Sequence, residues 1–501
     1  MNVRPTYPTT NDVRTKGQVW TPSWLGDAMA LYVLADSPNV VHEPSLGSGS
    51  LALSVARVAR ATHRVCDIMA TELHTYHLGE VGEQLEELGC ELEVEHGDFL
   101  SPSADGPINA IIANPPYIRH HQFDSVTKAR LQSITKSALG IKVDGRTGYH
   151  VFFLARAVER MNVGARGCFI LPADVFEGVS SRLIMTRITE ICELQAVARF
   201  APDATPFPKI DTNPVVIFFR KGGPTTRIAC ATVMTADSGL YDWVARGFPT
   251  MASDQLVSYV RTRTESIATG LTREPRAVGQ DDIALGELLT TTRGIATGDN
   301  AYFTMTRAEA HERDIPTTDL KRCVGKTKDL KGHRFDNARL ETLDSEGRAT
   351  YLLDVAAQNK DAMHPGTRAY IEVGEQRGVP SGTLAAARPK WWRMDKREPP
   401  PILFSYLGRA SSTFYRNATS AVALNGFIGV YPRHGIDPDA LAHALDDPRT
   451  RAALRYEAKT YGRGEIKIEP NAIERVTISR KILVEHGVEL KRVPCQPGLF
   501  D

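Results

Sequence analysis

The run Ile111-Ile112-Ala113-Asn114-Pro115-Pro116-Tyr117 constrains the fold more than any other stretch of the chain. Residues 111–113 are the apolar end of a strand-like run from Ile108, and the two prolines after Asn114 cannot donate to a β-ladder, so the chain must turn there. A buried strand that stops so abruptly presents the next side chains at its carboxyl end, where open α/β sheets keep their ligands. Asn114 offers an amide oxygen, Pro115 a rigid backbone carbonyl and Tyr117 an aromatic plate. Together they suit a planar heterocycle that carries an exocyclic amine.

The surroundings agree with a sheet protein. Short β-rich runs at 40–42, 65–70, 92–95, 108–113, 167–171 and 215–219 alternate with helical spacing at 51–61, 76–88 and 151–161. That alternation predicts an α/β fold with a mainly parallel sheet covered on both faces. With 501 residues the chain is too long for one core. After Arg220-Lys221-Gly222-Gly223-Pro224 the periodicity becomes irregular, Gly and Pro recur, and aromatics stand beside arginines. The expected division is therefore 1–224 and 225–501, the second part a mixed α/β domain.

Glu43-Pro44-Ser45-Leu46-Gly47-Ser48-Gly49-Ser50 lies between the first strand and the first helix of this pattern. Gly47 and Gly49 let backbone approach a ligand, and the following helix N-terminus offers free amide donors. Glu72 ends the next strand, where an acid can accept two ribose hydroxyls. Gly97-Asp98-Phe99 ends a third strand; there an acid can take the amino group of a base while Phe99 covers its ring. Each alone is an ordinary solvated acid or tight turn, and the weight comes from their order ahead of Asn114.

Asn-Pro-Pro-Tyr is also the catalytic motif of amino-methyltransferases that use S-adenosylmethionine. Gly17-Gln18-Val19-Trp20-Thr21-Pro22 resembles the N-terminal element that closes over the methionine end of the cofactor in one class of them. That element, the Gly-rich turn, the catalytic motif and a long C-terminal recognition domain follow one another as in gamma-class DNA adenine-N6 methyltransferases. Gly145-Arg146-Thr147-Gly148-Tyr149-His150-Val151-Phe152-Phe153, then Gly167 to Ala173, then Phe207-Pro208 and Asn213 to Phe219 continue the resemblance. It implies a Rossmann-like methyltransferase domain followed by a target-recognition domain. It also implies S-adenosyl-L-methionine as cofactor, held by Thr21, Glu43, Pro44, Gly47, Gly49, Glu72, Asp98, Phe99 and Phe153. Catalysis would fall to Asn114, Pro115, Pro116 and Tyr117 on an adenine flipped out of double-stranded DNA. Phe207 would make a second contact with that base, and a cognate restriction endonuclease or other defence-system subunits would be partners.

In the second part, Thr291-Thr292-Arg293-Gly294-Ile295-Ala296-Thr297-Gly298-Asp299-Asn300 and Tyr461-Gly462-Arg463-Gly464-Glu465-Ile466-Lys467 resemble segments of restriction-modification methyltransferases. They nominate Arg293, Arg463 and Lys467 for DNA. Basic residues at Lys321, Arg322, Lys326, Lys328, Lys331 and Arg334, and at Arg388, Lys390, Arg393, Lys396 and Arg397 around Trp391-Trp392, fit phosphate contacts. A solvated surface and core tryptophans are the plainer reading of the same residues.

Other signals are set aside. Val324-Gly325-Lys326-Thr327 ends like a phosphate loop, but Leu320 stands where its first glycine belongs. His120-His121 lack partners at ligand spacing, so no metal site is expected. Pro438-Asp439 reads as the first turn of a helix rather than half of a nuclease pair. Seven scattered cysteines (Cys66, Cys90, Cys168, Cys192, Cys230, Cys323 and Cys495) suit reduced thiols, and Met1 to Arg14 lacks an apolar export core. A cytoplasmic protein is expected, and with no apolar run near the roughly 20 residues of a bilayer span, no membrane partner. A net charge of +1 neither points to nucleic acid nor argues against it. Three alternatives stay open: an enzyme with the same motif acting on rRNA or a glutamine side chain, a cytosine-N4 enzyme, and a DNA-binding subunit whose transfer needs a partner.

Overall fold

The computed structural model describes residues 20–73, 78–101, 106–118, 123–176, 180–208, 213–270, 279, 281–405, 413–457, 459–461 and 465–489. The chain divides into two compact units: Met1–Pro275 with Tyr461–Arg463, and Arg276–Thr460 with Gly464–Asp501.

The first unit opens with α1 (Ser23–Val33), β1 (Val40–Glu43), α2 (Ser50–Ala61), β2 (Asp67–Glu72), α3 (Leu78–Glu87), β3 (Leu92–His96) and β4 (Ile108–Ala113). It continues through α4 (Ser125–Leu139), α5 (Tyr149–Arg160), β5 (Met161–Pro172), α6 (Ser181–Ile191), β6 (Cys192–Phe200) and β7 (Pro214–Lys221). It ends with β8 (Arg227–Val233), α7 (Gly239–Ala245), β9 (Leu256–Thr262) and α8 (Arg263–Thr269). Among the described residues these strands form one sheet in the order β3-β2-β1-β4-β5-β7-β6-β8-β9. Strands β1 to β5 run parallel, β7 lies antiparallel between β5 and β6, and β9 closes the edge antiparallel to β8. The order reverses at β1 and β4, which opens a crevice at their carboxyl ends.

Both faces of this sheet are covered, which is why its strands read as continuous apolar runs. In β4, Ala110 and Ile112 join the core that buries Leu25, Leu51, Val81 and Trp243 from α1, α2, α3 and α7. Ile108, Ile111 and Ala113 join the opposite core with Leu131, Phe152 and Ile188 from α4, α5 and α6. The same division recurs in β7, where Val216 and Phe218 face one core and Val215, Ile217 and Phe219 the other. The mainly parallel α/β reading and the strand over 108–113 are borne out.

The expected boundary at 224 is displaced. Gly222 and Gly223 adopt positive φ angles of 101° and 80°, and the chain they turn returns as β8, pairing parallel to β6. The sheet therefore gains β8 and β9, and the first unit runs to Pro275. Helix α5 also ends one residue early, and Met161 already belongs to β5, which bonds to β4 from Ile108 onward.

The second unit is mixed α/β. Its larger sheet runs in the order Leu289–Arg293, Phe427–Pro432, Ile402–Ser405, Thr413–Asn417, Arg334–Phe335. A second sheet orders Thr304–Met305, Tyr351–Leu353, Leu320–Val324 and Val422–Ala423. As expected, Pro438 opens a helix, Pro438–Asp446, capped by the Asp437 carboxylate accepting from Ala440 N–H. Among the described residues no helix is long and apolar enough to cross a membrane.

Candidate active site

The crevice at the sheet's reversal holds a cavity of about 290 Å³, near the lower end of the ~300–1,000 Å³ typical of small-molecule sites. Its wall is supplied by the ends of consecutive strands. Glu43 closes β1, and Pro44, Ser45, Leu46, Gly47 and Ser48 form the turn into α2. Thr71 and Glu72 close β2, Gly97-Asp98-Phe99 follow β3, and Asn114 and Pro116 follow β4. Trp20 and Thr21 arrive ahead of α1, and Tyr149 and Phe153 descend from α5.

The structure thus brings together Thr21, Glu43, Pro44, Gly47, Glu72, Asp98, Phe99, Phe153, Asn114 and Pro116, scattered over more than a hundred positions of sequence. Pro115, Tyr117 and Gly49 stand beside the cavity without lining it. Sequence reasoning did not assign Ile118 or Tyr149. Tyr149 was detectable, because it precedes Phe153 by four residues on a helix and must share its face. Residues 17–19 of the N-terminal motif lie outside the described residues.

Local chemistry sets the polar groups. Gly47 N–H donates to Glu72 Oε2 at 2.8 Å, so the turn and the second strand brace each other. Asn114 Nδ2 donates to Thr21 Oγ1 at 3.2 Å. That bond fixes the sense of the amide and so the direction of its oxygen, a positioning task for Thr21 that the sequence did not suggest. Tyr117 sits edge-on to His150, ring centroids 5.9 Å apart at 82°. At the far end Phe99 stacks on Phe153 (5.7 Å, 23°), and Tyr149 meets Phe153 edge-on at 5.4 Å. These rings make an apolar slot beside the Asp98 carboxylate.

Glu43 is only 3% exposed, and its Oε2 meets no hydrogen-bond partner among the described residues. Burial pushes its carboxyl well above the usual range, a backbone hydrogen bond at Ala52 works the other way, and the Glu72 charge adds to the rise. The folded chain keeps this proton where the unfolded chain has lost it, so folding stability declines as pH climbs from about 4.3, the free glutamate value, toward the raised one. Glu43→Gln cannot ionise. Its melting temperature relative to wild type should rise with pH over that window, which a pH series of thermal unfolding checks. A constant difference would mean that Glu43 ionises in the fold as it does in water.

Other nominated residues are placed differently. Phe207 is 3% exposed, packed in the core that includes Ala204, and does not line the cavity. Arg293 pairs with Glu469. Lys321 pairs with Asp354, Arg322 with Asp344 and Arg334 with Asp439. Arg388 donates to the carbonyls of Ala296 and Thr297, and Trp392 is buried beside Trp391. Those basic groups tie the second unit together, and the tryptophans are core. Gly294 lies against backbone as well: a Cβ there would stand 2.1 Å from Leu424 O, so packing rather than a phosphate requires that glycine. Lys326, Lys328 and Lys331 are exposed. Lys467 lies in the strand Glu465–Lys467, whereas Arg463, His120 and His121 lie outside the described residues. Six cysteines are buried free thiols, and Cys495 is outside the described residues.

Comparison with known proteins agrees with this geometry. Residues 6–241 match the family described as N-6 DNA Methylase, and residues 275–494 match the C-terminal domain of Type II methyltransferase M.Eco57I. The chain is 22% identical over 466 residues to Type II methyltransferase M.AccI of Acinetobacter calcoaceticus, covering 91% of this chain and 84% of that one. It is 26% identical over 478 residues to Type II methyltransferase M.XamI of Xanthomonas campestris pv. amaranthicola, covering 92% and 85%. In fold it resembles the Type IIL restriction-modification enzyme MmeI, solved in complex with DNA, with a TM-score of 0.54 at 12% identity over 90% of this chain and 65% of that one. With both parts of the chain matched, it belongs to the N-6 DNA methylase family, as a type II adenine-N6 DNA methyltransferase of restriction-modification systems.

Proposed function

We propose that the cavity holds S-adenosylmethionine and that Asn114 and Pro115 receive the exocyclic amine of an adenine swung out of duplex DNA. The observation that carries this reading is the single cavity lined by Glu72, Asp98, Phe99 and Phe153 together with Asn114 and Pro116. The chain's residues fit the cofactor. Glu43 Oε2 is a buried polar atom at the cavity wall in need of a partner, and the Cβ position of Gly47 has nothing within 4 Å. Glu72 would take the ribose hydroxyls, Asp98 the amine of the base, and Phe99 and Phe153 its faces. Thr21, Glu43, Pro44 and the Gly47 turn would hold the methionine end, with Gly49 shaping that turn. Bound there, S-adenosylmethionine would supply an electrophilic methyl group.

The remaining work belongs to the protein. An adenine amine is a poor nucleophile because its lone pair is delocalised into the ring. Acceptance of its two hydrogens by the Asn114 amide oxygen and the Pro115 carbonyl would draw the nitrogen toward tetrahedral geometry and free the lone pair. No strong base is needed, since the amine grows more acidic as the new bond forms. Preorganised acceptors and positioning carry the rate. Pro116 stiffens the turn, and Tyr117 would stack on the extruded base, a contact worth about 1–3 kcal/mol, comparable to the few kcal/mol that extrusion costs. In the second unit the exposed Lys326, Lys328, Lys331, Lys396 and Arg397 are candidates for phosphate, as is Lys467, and a restriction endonuclease of matching specificity is the implied partner.

The test is transfer of labelled methyl from S-adenosylmethionine to duplex DNA, followed by nucleoside analysis. Label in N6-methyladenine is expected. Label in N4-methylcytosine would overturn the base assignment, and label confined to RNA or protein would overturn the DNA assignment.

A further inference from the structure

Asp98 is held from two sides. Its Oδ1 accepts from Leu100 N–H at 3.0 Å, within its own turn. Its Oδ2 accepts from Arg130 Nη2 at 3.1 Å. Arg130 is carried on α4, the helix that follows the catalytic motif, 32 residues away in sequence. The charge of the same guanidinium reaches the Tyr149 phenol, whose ring lines the cavity and packs between Phe123 (5.2 Å) and Phe153 (5.4 Å). Tyr149 N–H in turn donates to Ile118 O at 3.2 Å, one residue past the motif.

We propose that Arg130 is a positioning residue for the base of the cofactor: it fixes the plane of the Asp98 carboxylate so that a remaining lone pair receives the exocyclic amine beside the Tyr149 ring. This rests on the S-adenosylmethionine reading of the cavity. A carboxylate has about four acceptor sites. One local donor, Leu100 N–H, leaves it free to rotate about its own side chain, and a second donor on another helix does not. A guanidinium suits the task because its donors form a rigid planar fork that holds a carboxylate in a set orientation. The pair adds little to folding, since the Arg130 and Asp98 side chains are 44% and 22% exposed and solvent screens such pairs. Its consequence is therefore selectivity for an amine-bearing base. Because Ile118 and α4 both follow the catalytic motif in the chain, the link also connects them to the cofactor end of the cavity.

The experiment measures calorimetric affinities of the full chain for S-adenosylhomocysteine and for S-inosylhomocysteine, whose base carries an oxo group in place of the amine. Wild type should prefer the adenosyl form by roughly 10–100-fold, the scale of one hydrogen bond to a charged group. Arg130→Met should bind S-adenosylhomocysteine roughly tenfold more weakly, the scale of one charge-assisted contact. It should also lose most of the preference while keeping the wild-type melting temperature. Arg130→Lys, with charge but no fork, should recover part of the affinity and little of the preference. Equal preference in wild type and Arg130→Met would overturn the proposal, and so would a wild type that binds both compounds alike. A folded wild type that binds neither would overturn the cofactor reading itself.

Discussion

Asn114→Ala should lower single-turnover methyl transfer to DNA by on the order of 10²–10³-fold, the loss seen when one preorganised group opposite a developing charge is removed, while cofactor affinity changes by no more than a few fold. The asymmetry follows from position. Asn114 follows β4 and lines the cavity, its amide nitrogen donates to Thr21 Oγ1, and in the proposed reading its oxygen would serve the reacting amine rather than the ribose or base of the cofactor. Asn114→Asp keeps an acceptor and introduces a charge that Thr21 can meet only with its hydroxyl proton. It should retain more activity than alanine, because an acceptor survives where the amine needs one. Tyr117→Ala removes a stacking plate and leaves both acceptors, so its loss should be nearer tenfold, in keeping with about 1–3 kcal/mol per stacked base. Single-turnover rates beside calorimetric cofactor affinities separate these cases. An Asn114→Ala variant that binds cofactor poorly yet transfers methyl at the wild-type rate once saturated would make Asn114 a binding residue, and the acceptor chemistry would have to be sought elsewhere.

Much of this site was legible because its parts obey local rules. The end of β4 was fixed by Pro115 and Pro116, and the structure ends that strand at Ala113. Glu72 and Asp98 could be placed because each closes or follows a strand in a pattern whose period alone reveals the sheet. What was missed depends on partners distant in sequence. Arg130 and Asp98 are 32 positions apart, and Thr21 and Asn114 are 93 apart. No spacing rule connects them, since the fold alone makes them neighbours. Basic residues of the second unit misled for the same reason. Arg334 and Asp439 lie 105 residues apart, and Arg293 and Glu469 lie 176 apart, so a census of arginines cannot show which are already neutralised. The domain boundary failed on ambiguity of another sort. A Gly-Gly-Pro turn between two strands of one sheet has the composition of a linker, and only the pairing of β8 with β6 distinguishes them.

Gly49→Ala should be among the most destabilising single-methyl changes in the first unit, lowering its melting temperature by about 5–15 °C, from roughly 2–5 kcal/mol at about 2–4 °C per kcal/mol for a unit of this size. Two costs add. Gly49 caps α2 in the left-handed region, with φ 71° and ψ 11°, which costs an alanine about 1–2 kcal/mol. Its Cβ would also stand 2.5 Å from Val81 Cγ1 and 2.9 Å from Val81 Cγ2, and overpacking of that kind costs about 1–3 kcal/mol. Val81→Ala made in the Gly49→Ala background removes the collision and leaves the torsional strain. The double mutant should therefore be more stable than the sum of the two single losses predicts, by about 1 kcal/mol or more. Gly47→Ala makes the contrast. Its φ of 54° imposes similar strain, but its Cβ meets nothing within 4 Å and the residue lines the cavity. That methyl group should cost less in melting temperature and more in cofactor affinity, the reverse ranking to Gly49→Ala. Unfolding curves and binding isotherms on the two variants decide it. If Gly47→Ala proved the less stable of the two, the Val81 contact would not be what demands a glycine at 49. If the ranking holds, one Gly-x-Gly signature hides two separate requirements, one glycine keeping α3 packed against the turn and the other keeping the cavity open.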